Sequence, residues 1–464
     1  MTRTRIAPAP TGKFHIGTAR AALFNYLFAK QSGGVFVLRI EDTDKVRSKK
    51  EFEDDILESL KWLGLAWDEF YRQSERISMY RTYLEKLLEQ GRAFYCYHSS
   101  EETKGGVHFC EYREGSNQRM SNVKCQMSNV IRFKTPKDRE VEFDDIVRGK
   151  VRFNTNEIGD FSIAKSLDEP LWILAVTADD YEMGITHVIR GEDHISNTPK
   201  QILLQESLGF LVPEYAHLPL ILGPDRSKLS KRHGATSVSE FRSKGYLAEA
   251  FINFIALLGW NPGDEREFFS LEDLIKEFSL KRVKKGPAVF NLQRLGFMNQ
   301  HYLRSLPLEV VSQRAKEFFK KVYGDEAIKN FKKLQEIVAL ERERAKTLEE
   351  LAKALDFIFK LPDYESSLLH WRNQASENVK ENLQKAFQIV EKIPPGSYVI
   401  EYIKEVFFEE IEKGGGESGE LLWPFRVSLS GKKASPGPFE IAAALGGKET
   451  LKRIRYAIQK ISSH

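Results

Sequence analysis

The chain has 464 residues, with 70 Lys and Arg against 66 Asp and Glu, a net charge of +4. Hydrophobic residues make up 41%, which excludes a disordered chain, and the length suggests about three domains. A strongly basic coat is excluded, but a nucleic-acid partner is not, because clustering of charge matters more than its sum. No apolar run approaches the roughly 18 residues of a membrane span. Met1 to Ile6 lacks the apolar core of a signal peptide. The three cysteines, Cys96, Cys110 and Cys125, exclude a disulfide scaffold and point to a reducing cytoplasm.

Residues 1–95 alternate strand and helix signals. Thr2 to Ala7 reads as a strand, and Pro8-Ala9-Pro10-Thr11-Gly12 as a turn-rich break. Thr18 to Lys30 reads as a helix with Ala19, Leu23, Tyr26 and Leu27 on one face. Val35 to Ile40 is a continuous apolar run, as in a parallel strand covered on both faces. Helical stretches follow at Glu51 to Leu63 and Ile77 to Glu89, with Gly91 placed as a helix C-terminal glycine. Residues 96–183 read as an inserted α+β module, with short strands at Val130 to Phe133 and Val151 to Phe153. Strand and helix grammar returns over 184–240, with strands at Gly184 to Arg190 and Leu218 to Leu222 and a helix at Thr198 to Leu208. From 241 the chain reads as helical. Tyr246 to Leu258 is apolar on most faces, Leu334 to Leu355 is a charged amphipathic helix, and Gly414-Gly415-Gly416 is a loop or hinge.

Two segments carry chemistry. Ala7-Pro-Ala-Pro-Thr-Gly-Lys-Phe-His-Ile-Gly-Thr18 lies between the first strand and the first helix. A helix start there offers free backbone N–H groups and a positive dipole end to a phosphate. Gly12 and Gly17 let the backbone approach a ligand closely, and His15 can donate to a phosphate oxygen. Lys228-Leu-Ser-Lys-Arg232 places three cations in a polar loop, suited to charge building on a pyrophosphate leaving group. Each segment alone fits a plain loop.

Together the two segments resemble the paired signatures of class I aminoacyl-tRNA synthetases. Arg39-Ile-Glu-Asp-Thr-Asp44, Tyr71-Arg-Gln-Ser-Glu-Arg76, Gly184 to His194, Lys228 to Val238, Arg426 to Gly431 and Ser435-Pro-Gly-Pro-Phe-Glu440 are similar to glutamyl-tRNA synthetase, so the likeness spans nearly the whole chain. The resemblance implies a fold and a division of the chain. A Rossmann-type α/β catalytic domain (1–95 and 184–240) would be split by an acceptor-binding α+β insertion (96–183). A helical stem-contact domain (241–310) and all-α anticodon-binding domains (311–464) would follow.

It also implies roles. Glutamate and ATP would condense to glutamyl-adenylate, and the glutamyl group would pass to the 3′ end of tRNA(Glu). His15, Gly17, Lys228 and Lys231 would be catalytic, with Ala7, Pro10, Gly12 and Leu229 also against ATP and Mg2+ screening its phosphates. Arg5 and Arg190 would hold the two carboxylates of glutamate, in an order left open, since arginine's planar fork matches a carboxylate. Glu41 would meet the ammonium, and Ala7, Ala9 and Trp172 would complete the pocket. Ala9 stands where the family usually has serine, and Trp172 where it has tyrosine. Arg344 and Arg426 match arginines that contact anticodon bases.

Cys96, His98, His108 and Cys110 offer two thiolates and two imidazoles, a set that suits tetrahedral Zn2+; the alternative is two buried cysteines beside two surface histidines. The open alternatives for function are a paralogue that charges tRNA(Gln) with glutamate and a non-catalytic tRNA-binding protein. A cytoplasmic monomer is the family expectation.

Overall fold

The protein is described by a computed structural model over residues 1–98, 107–114 and 130–462. Cys125 lies outside the described residues. The chain divides into two compact units, Met1–Ser243 with Ala248–Leu295, and Lys244–Leu247 with Gly296–His464.

The first unit opens with β1 (Arg3–Ile6), α1 (Ile16–Gln31), β2 (Val35–Ile40), α2 (Lys50–Trp62), β3 (Glu69–Arg72) and α3 (Ile77–Glu89). The three strands are parallel with β2 in the middle. Phe36, Val37, Leu38 and Ile40 of β2 are fully buried, as a strand covered on both faces requires. α1 is buried on nearly every face rather than on one, taking in Arg20 and Asn25. Asn25 Nδ2 meets its burial cost by donating to Ala21 O (2.8 Å) and Ile189 O (2.9 Å). Gly91 adopts a left-handed φ of 62° after α3.

The chain then forms β4 (Ala93–Cys96), β5 (Val130–Phe133), β6 (Glu140–Asp145), β7 (Gly149–Asn154), β8 (Phe161–Ser166) and β9 (Glu169–Pro170), followed by α4 (Trp172–Glu182). β4, β5, β8 and β9 make an antiparallel sheet, and β6 and β7 an antiparallel hairpin. The sheet thus starts at Ala93, ahead of the expected boundary at 96.

β10 (His187–Gly191), α5 (Thr198–Leu208) and β11 (Glu214–Leu218) resume the parallel pattern. Thr186 N donates to Arg3 O (3.0 Å), setting β10 beside β1. The strand series is therefore β3, β2, β1, β10, β11, the order of a doubly wound nucleotide-binding sheet. β6 lies on the far side of β11.

Two strands depart from expectation. The strand expected from Gly184 begins at His187, because Gly184 ends α4 with φ 61° and its N–H returns to Tyr181 O (2.9 Å). The strand expected over Leu218 to Leu222 is two strands. Pro219 has no N–H to continue the ladder, so β11 stops at Leu218, and β12 (Ile221–Leu222) pairs elsewhere. α6 (Val238–Ser243), α7 (Ala248–Leu257), α8 (Leu271–Glu277) and β13 (Ala288–Val289), the partner of β12, complete this part.

After α9 (Leu292–Ser305), the second unit is helical among the described residues. It contains α10 (Leu308–Tyr323), α11 (Phe331–Glu341), α12 (Leu348–Ala354), α13 (Asp356–Phe359), α14 (Ser376–Lys392), α15 (Ile400–Gly414), α16 (Ser418–Ser430), α17 (Pro438–Leu445) and α18 (Gly447–Ser462). The single helix expected over Leu334 to Leu355 is broken. α11 ends at Glu341, and Thr347 caps α12 by accepting from Glu350 N (3.1 Å). Gly415 caps α15 with φ 64°, and α16 begins at Ser418, so the glycine run is a helix-to-helix turn.

Gly245 has φ 78°, and a Cβ there would lie 2.7 Å from the backbone nitrogens of Leu348 and Glu349. Its carbonyl accepts from Leu348 N (3.0 Å), so neither segment can retreat without losing that bond. Gly245→Ala is expected to destabilise by at least about 1–2 kcal/mol, the cost of a left-handed side-chain residue. In thermal denaturation this reads as a midpoint roughly 2–8 °C lower; an unchanged midpoint would refute the steric argument.

Candidate active site

A cleft of about 670 Å³ opens at the C-terminal ends of β1, β2 and β10. Arg5, Ala7, Ala9, His15, Gly17, Glu41, Trp172, Arg190, Lys228 and Leu229 all line it. Pro10 and Gly12 do not: Pro10 is buried with its carbonyl accepting from Lys49 N (2.9 Å), and Thr11 reaches the lining between them. Lys231 begins the short turn Lys231–His233, and its side chain lies outside what is described.

The floor of the cleft is a buried ionic network. Arg5 grips Asp180 through Nε (3.0 Å) and Nη2 (3.2 Å). Arg39, fully buried, donates from Nη1 to Asp180 (2.8 Å) and from Nη2 to Glu41 Oε1 (3.1 Å), and its Nε is 3.6 Å from Asp179. Asp179 also accepts from Gln73 (2.9 Å), Arg76 (2.8 Å) and Tyr80 (2.9 Å). Burial works against the charge on Arg39, but Asp180, Asp179 and Glu41 more than reverse it and hold the guanidinium above its ordinary value. Burial likewise opposes ionisation of Asp180, and Arg5 and Arg39 overcome it. At Glu41 burial wins: its carboxyl is raised, although Arg39 and Trp172 pull it down.

Trp172 sits at the first position of α4 and donates from Nε1 to Glu41 Oε2 (2.6 Å). Its ring lies 5.2 Å from that of His194. Val176, one helical turn on, also lines the cleft, so this wall is largely apolar. Sequence motifs missed Val176, whose signal was its spacing of four from Trp172 on one helix face; His194 closes the Gly184 to His194 motif but received no site role there.

Arg190 is buried against neutral partners. Nη2 donates to Thr198 Oγ1 (2.9 Å) and Gln201 Oε1 (2.7 Å), and Nε donates to His217 Nε2 (3.2 Å). Nη1 is buried without a hydrogen-bond partner among the described residues. Burial drops Arg190 to about 10.

The two signature loops are stitched together. Ile16 N donates to Thr236 O (2.9 Å), Val238 N donates to Phe14 O (2.9 Å), and His15 bridges Ser237. His15 caps α1, its Nδ1 accepting from Gly17 N (3.1 Å). With Nδ1 an acceptor, the proton of the neutral ring sits on Nε2, leaving a donor for a ligand. Burial, with Lys228 nearby, lowers its tendency to protonate. Because Ile16 N and Gly17 N are both occupied, the helix start offers fewer free donors than expected. Lys228 is exposed, 3.8 Å from Asp193. Its loop is anchored by Asp225, which accepts from Ser227 (2.7 Å) and lies 3.1 Å from His233 Nε2.

A second cluster stands in the antiparallel module. Cys96 Sγ lies 3.5 Å from His98 Nδ1 and 3.6 Å from Cys110 Sγ, and Cys110 Sγ lies 3.6 Å from His98 Nδ1. One ligand atom from each of Cys96, His98, His108 and Cys110 lies within 4.8 Å of the others. Both cysteines are buried, neither is in a disulfide among the described residues, and His108 Nε2 is buried without a hydrogen-bond partner among them. Asp160 fixes the backbone here, accepting from Cys110 N (2.9 Å) and Thr135 N (2.9 Å).

In the second unit, Arg344 lines a cavity of about 800 Å³ with Gln335, Tyr398 and Glu440. Arg426 stacks over the Trp423 ring at 4.6 Å and donates to Lys433 O (2.9 Å). Burial and the field of Arg344 lower Arg426, so the two arginines feel each other.

Residues 1–297 match the family described as tRNA synthetases class I (E and Q), catalytic domain, and residues 310–458 match the anticodon binding domain. The chain belongs to the class I tRNA synthetases. It is 43% identical to glutamate–tRNA ligase 1 of Caldanaerobacter subterraneus subsp. tengcongensis, over 100% of this chain and 98% of that protein. It is also 43% identical to the glutamate–tRNA ligase of Aquifex aeolicus, over 99% of each. The solved glutamate tRNA ligase from Elizabethkingia meningosepticum, in complex with its amino acid, superposes with a TM-score of 0.86 at 33% identity over 99% of each chain. Within its class, the chain's family is therefore that of the glutamate–tRNA ligases.

Arg39→Met leaves Asp179, Asp180 and Glu41 short of a buried cation. The variant is expected to lose about 3–5 kcal/mol of stability, as when one partner of a buried ion pair is removed. Chemical denaturation of the two proteins side by side measures it; a loss under about 1 kcal/mol, the range of an exposed pair, would refute the dependence of the fold on this network.

Proposed function

We propose that the protein condenses glutamate with ATP to glutamyl-adenylate and pyrophosphate, and then passes the glutamyl group to the terminal ribose of tRNA(Glu). The observation that carries the reading is Arg190, which lines a cleft whose other signature residues belong to one family and whose buried Nη1 has no hydrogen-bond partner among the described residues. A substrate carboxylate satisfies that donor and the charge behind it. Arg5 lies on the same floor and supplies the second cation. Glu41 receives the ammonium; both its oxygens already accept from protein, and each keeps a further lone pair.

The glutamate carboxylate then attacks the α-phosphate in line. Positioning and charge neutralisation are the protein's main tasks in such a step. His15 donates Nε2–H to the phosphates without adding charge of its own. Lys228 and Lys231 neutralise charge on the departing pyrophosphate, and the bonds between Phe14 to Ile16 and Thr236 to Val238 keep their loop beside His15. ATP enters as its magnesium complex. Ala9 forgoes one hydrogen bond to the substrate, about 0.5–1.5 kcal/mol. Arg344 and Arg426 read anticodon bases by stacking and edge hydrogen bonds.

ATP-dependent transfer of labelled glutamate is expected on tRNA(Glu). Charging of tRNA(Gln) as well would identify a relaxed acceptor choice, and charging of neither would reject the reading. Lys231→Ala is expected to lower charging by about 100-fold or more, the scale of losing a charge-stabilising group, with tRNA binding intact. Equal activity would remove Lys231 from the mechanism.

The Cys96, His98, His108 and Cys110 set supports a structural zinc. Zinc with bonds of about 2.3 Å to sulfur and 2.0–2.1 Å to nitrogen places a sulfur about 3.5–3.8 Å from its tetrahedral neighbours. The three separations among Cys96, His98 and Cys110 run from 3.5 to 3.6 Å. Burial pushes the Cys110 thiol up to about 12, with Cys96 adding to the rise; a divalent cation reverses that preference. Elemental analysis is expected to find about one zinc per chain, lost in the Cys96→Ser, Cys110→Ser double variant. Folded, metal-free protein would overturn the assignment.

A further inference from the structure

Arg190 is held by residues outside every signature motif. β10, β11 and β6 are neighbours, and they carry Arg190, His217 and Asp145. Asp145 and His217 are both buried. Asp145 Oδ1 accepts from Val147 N (3.0 Å) and Arg148 N (2.7 Å), which fixes the carboxylate within its own hairpin turn. Its Oδ2 accepts from His217 N (3.0 Å) and lies 2.7 Å from His217 Nδ1.

An ionised carboxylate only accepts, so the Nδ1 of His217 must carry a proton. Burial disfavours a second proton on the ring, and Arg190 and Arg148 oppose it further, while Asp145 works the other way; the balance lowers His217 below its ordinary value. The neutral ring therefore presents Nε2 as an acceptor, 3.2 Å from Arg190 Nε and 3.1 Å from Thr198 Oγ1. Thr198 and Gln201 hold Nη2. A guanidinium is planar, so fixing Nε and Nη2 fixes Nη1.

We infer that Asp145 and His217 are positioning residues for the substrate carboxylate: Asp145 selects the Nδ1–H form of His217, and that ring locks the plane of the Arg190 guanidinium at the wall of the cleft that Arg190 lines. The inference rests on the reading of Arg190 as a carboxylate-binding residue. It also gives the β6–β7 hairpin a part in amino-acid binding, although its own side chains stay out of the cleft lining. Asp145→Asn removes the acceptor that selects the ring form, and His217→Phe removes the ring nitrogens while keeping an aromatic of similar outline.

The test is steady-state charging of tRNA(Glu) by the full-length protein and by Asp145→Asn, His217→Phe and His217→Gln. The first two are expected to raise KM for glutamate by about 10- to 100-fold, the usual effect of losing a group that orients a binding residue. KM for ATP and kcat at saturating glutamate should stay within about threefold, the mark of lost uniform binding. His217→Gln returns an oxygen acceptor toward Arg190 and should recover most of the loss. An unchanged KM for glutamate in both variants would overturn the inference. So would a parallel rise in both KM values with a fall in kcat that His217→Gln fails to restore, since that pattern marks general damage. Absence of glutamate charging by the unmodified protein would instead reject the reading of the cleft, and this inference with it.

Discussion

The cleft depends on one buried constraint: Arg39 must be neutralised where water cannot reach it. An isolated charge in such a place costs several kcal/mol even after relaxation. Asp180, Asp179 and Glu41 gather around it, and together they bring two different elements to the same point. Asp179 and Asp180 come from α4, Glu41 follows β2, and Arg5 reaches in from β1 through Asp180. Satisfying the arginine therefore fixes how α4 packs on the parallel sheet. That placement in turn sets Trp172 and Val176 against the pocket, and Trp172 secures Glu41 from the other side. Arg5, Glu41 and Trp172 belong both to this network and to the lining of the cleft.

Much of this architecture was legible from the sequence. β2 was readable because a run of apolar residues bounded by glycines and acids has few alternatives to a covered strand. α3 and α5 were readable from their periodicity and flanking residues. The lost boundaries have physical causes. Pro219 splits an apolar run that composition alone joins, and the six residues between α11 and α12 keep the amphipathic spacing while Thr347 restarts the helix. The one-face reading of α1 failed because Arg20 and Asn25 look like surface residues until their carbonyl partners are known.

The site was legible to the extent that its residues sit in contiguous motifs. Arg5, Glu41, Trp172, Arg190 and Lys228 were marked in the sequence and do meet in the cleft. What motifs could not convey is the set of contacts made across the sheet. Asp145 and His217 are 72 residues apart in the chain, and neither lies in a signature motif. Parallel pairing brings them together only once β11 sits between β10 and β6. Pro10 and Gly12 illustrate the reverse: both lie in the same motif, and neither lines the cleft.

Arg39 and Arg190 divide the work of the floor by the kind of partner each receives. Carboxylates surround Arg39, so its charge is used up inside the protein and held above its ordinary value. Arg190 is surrounded by a hydroxyl, an amide oxygen and a neutral imidazole. Dipoles orient its guanidinium and satisfy most of its donors, but they do not cancel its charge, and burial pulls it down to about 10. The protein thus carries a buried cation without an ion-pair partner among the described residues at one of the places where an anionic substrate group is expected. A ligand carboxylate arriving there gains the full attraction of a poorly screened site and removes the strain of the unpaired Nη1. An arginine paired like Arg39 would have made a more stable floor and a weaker binding site.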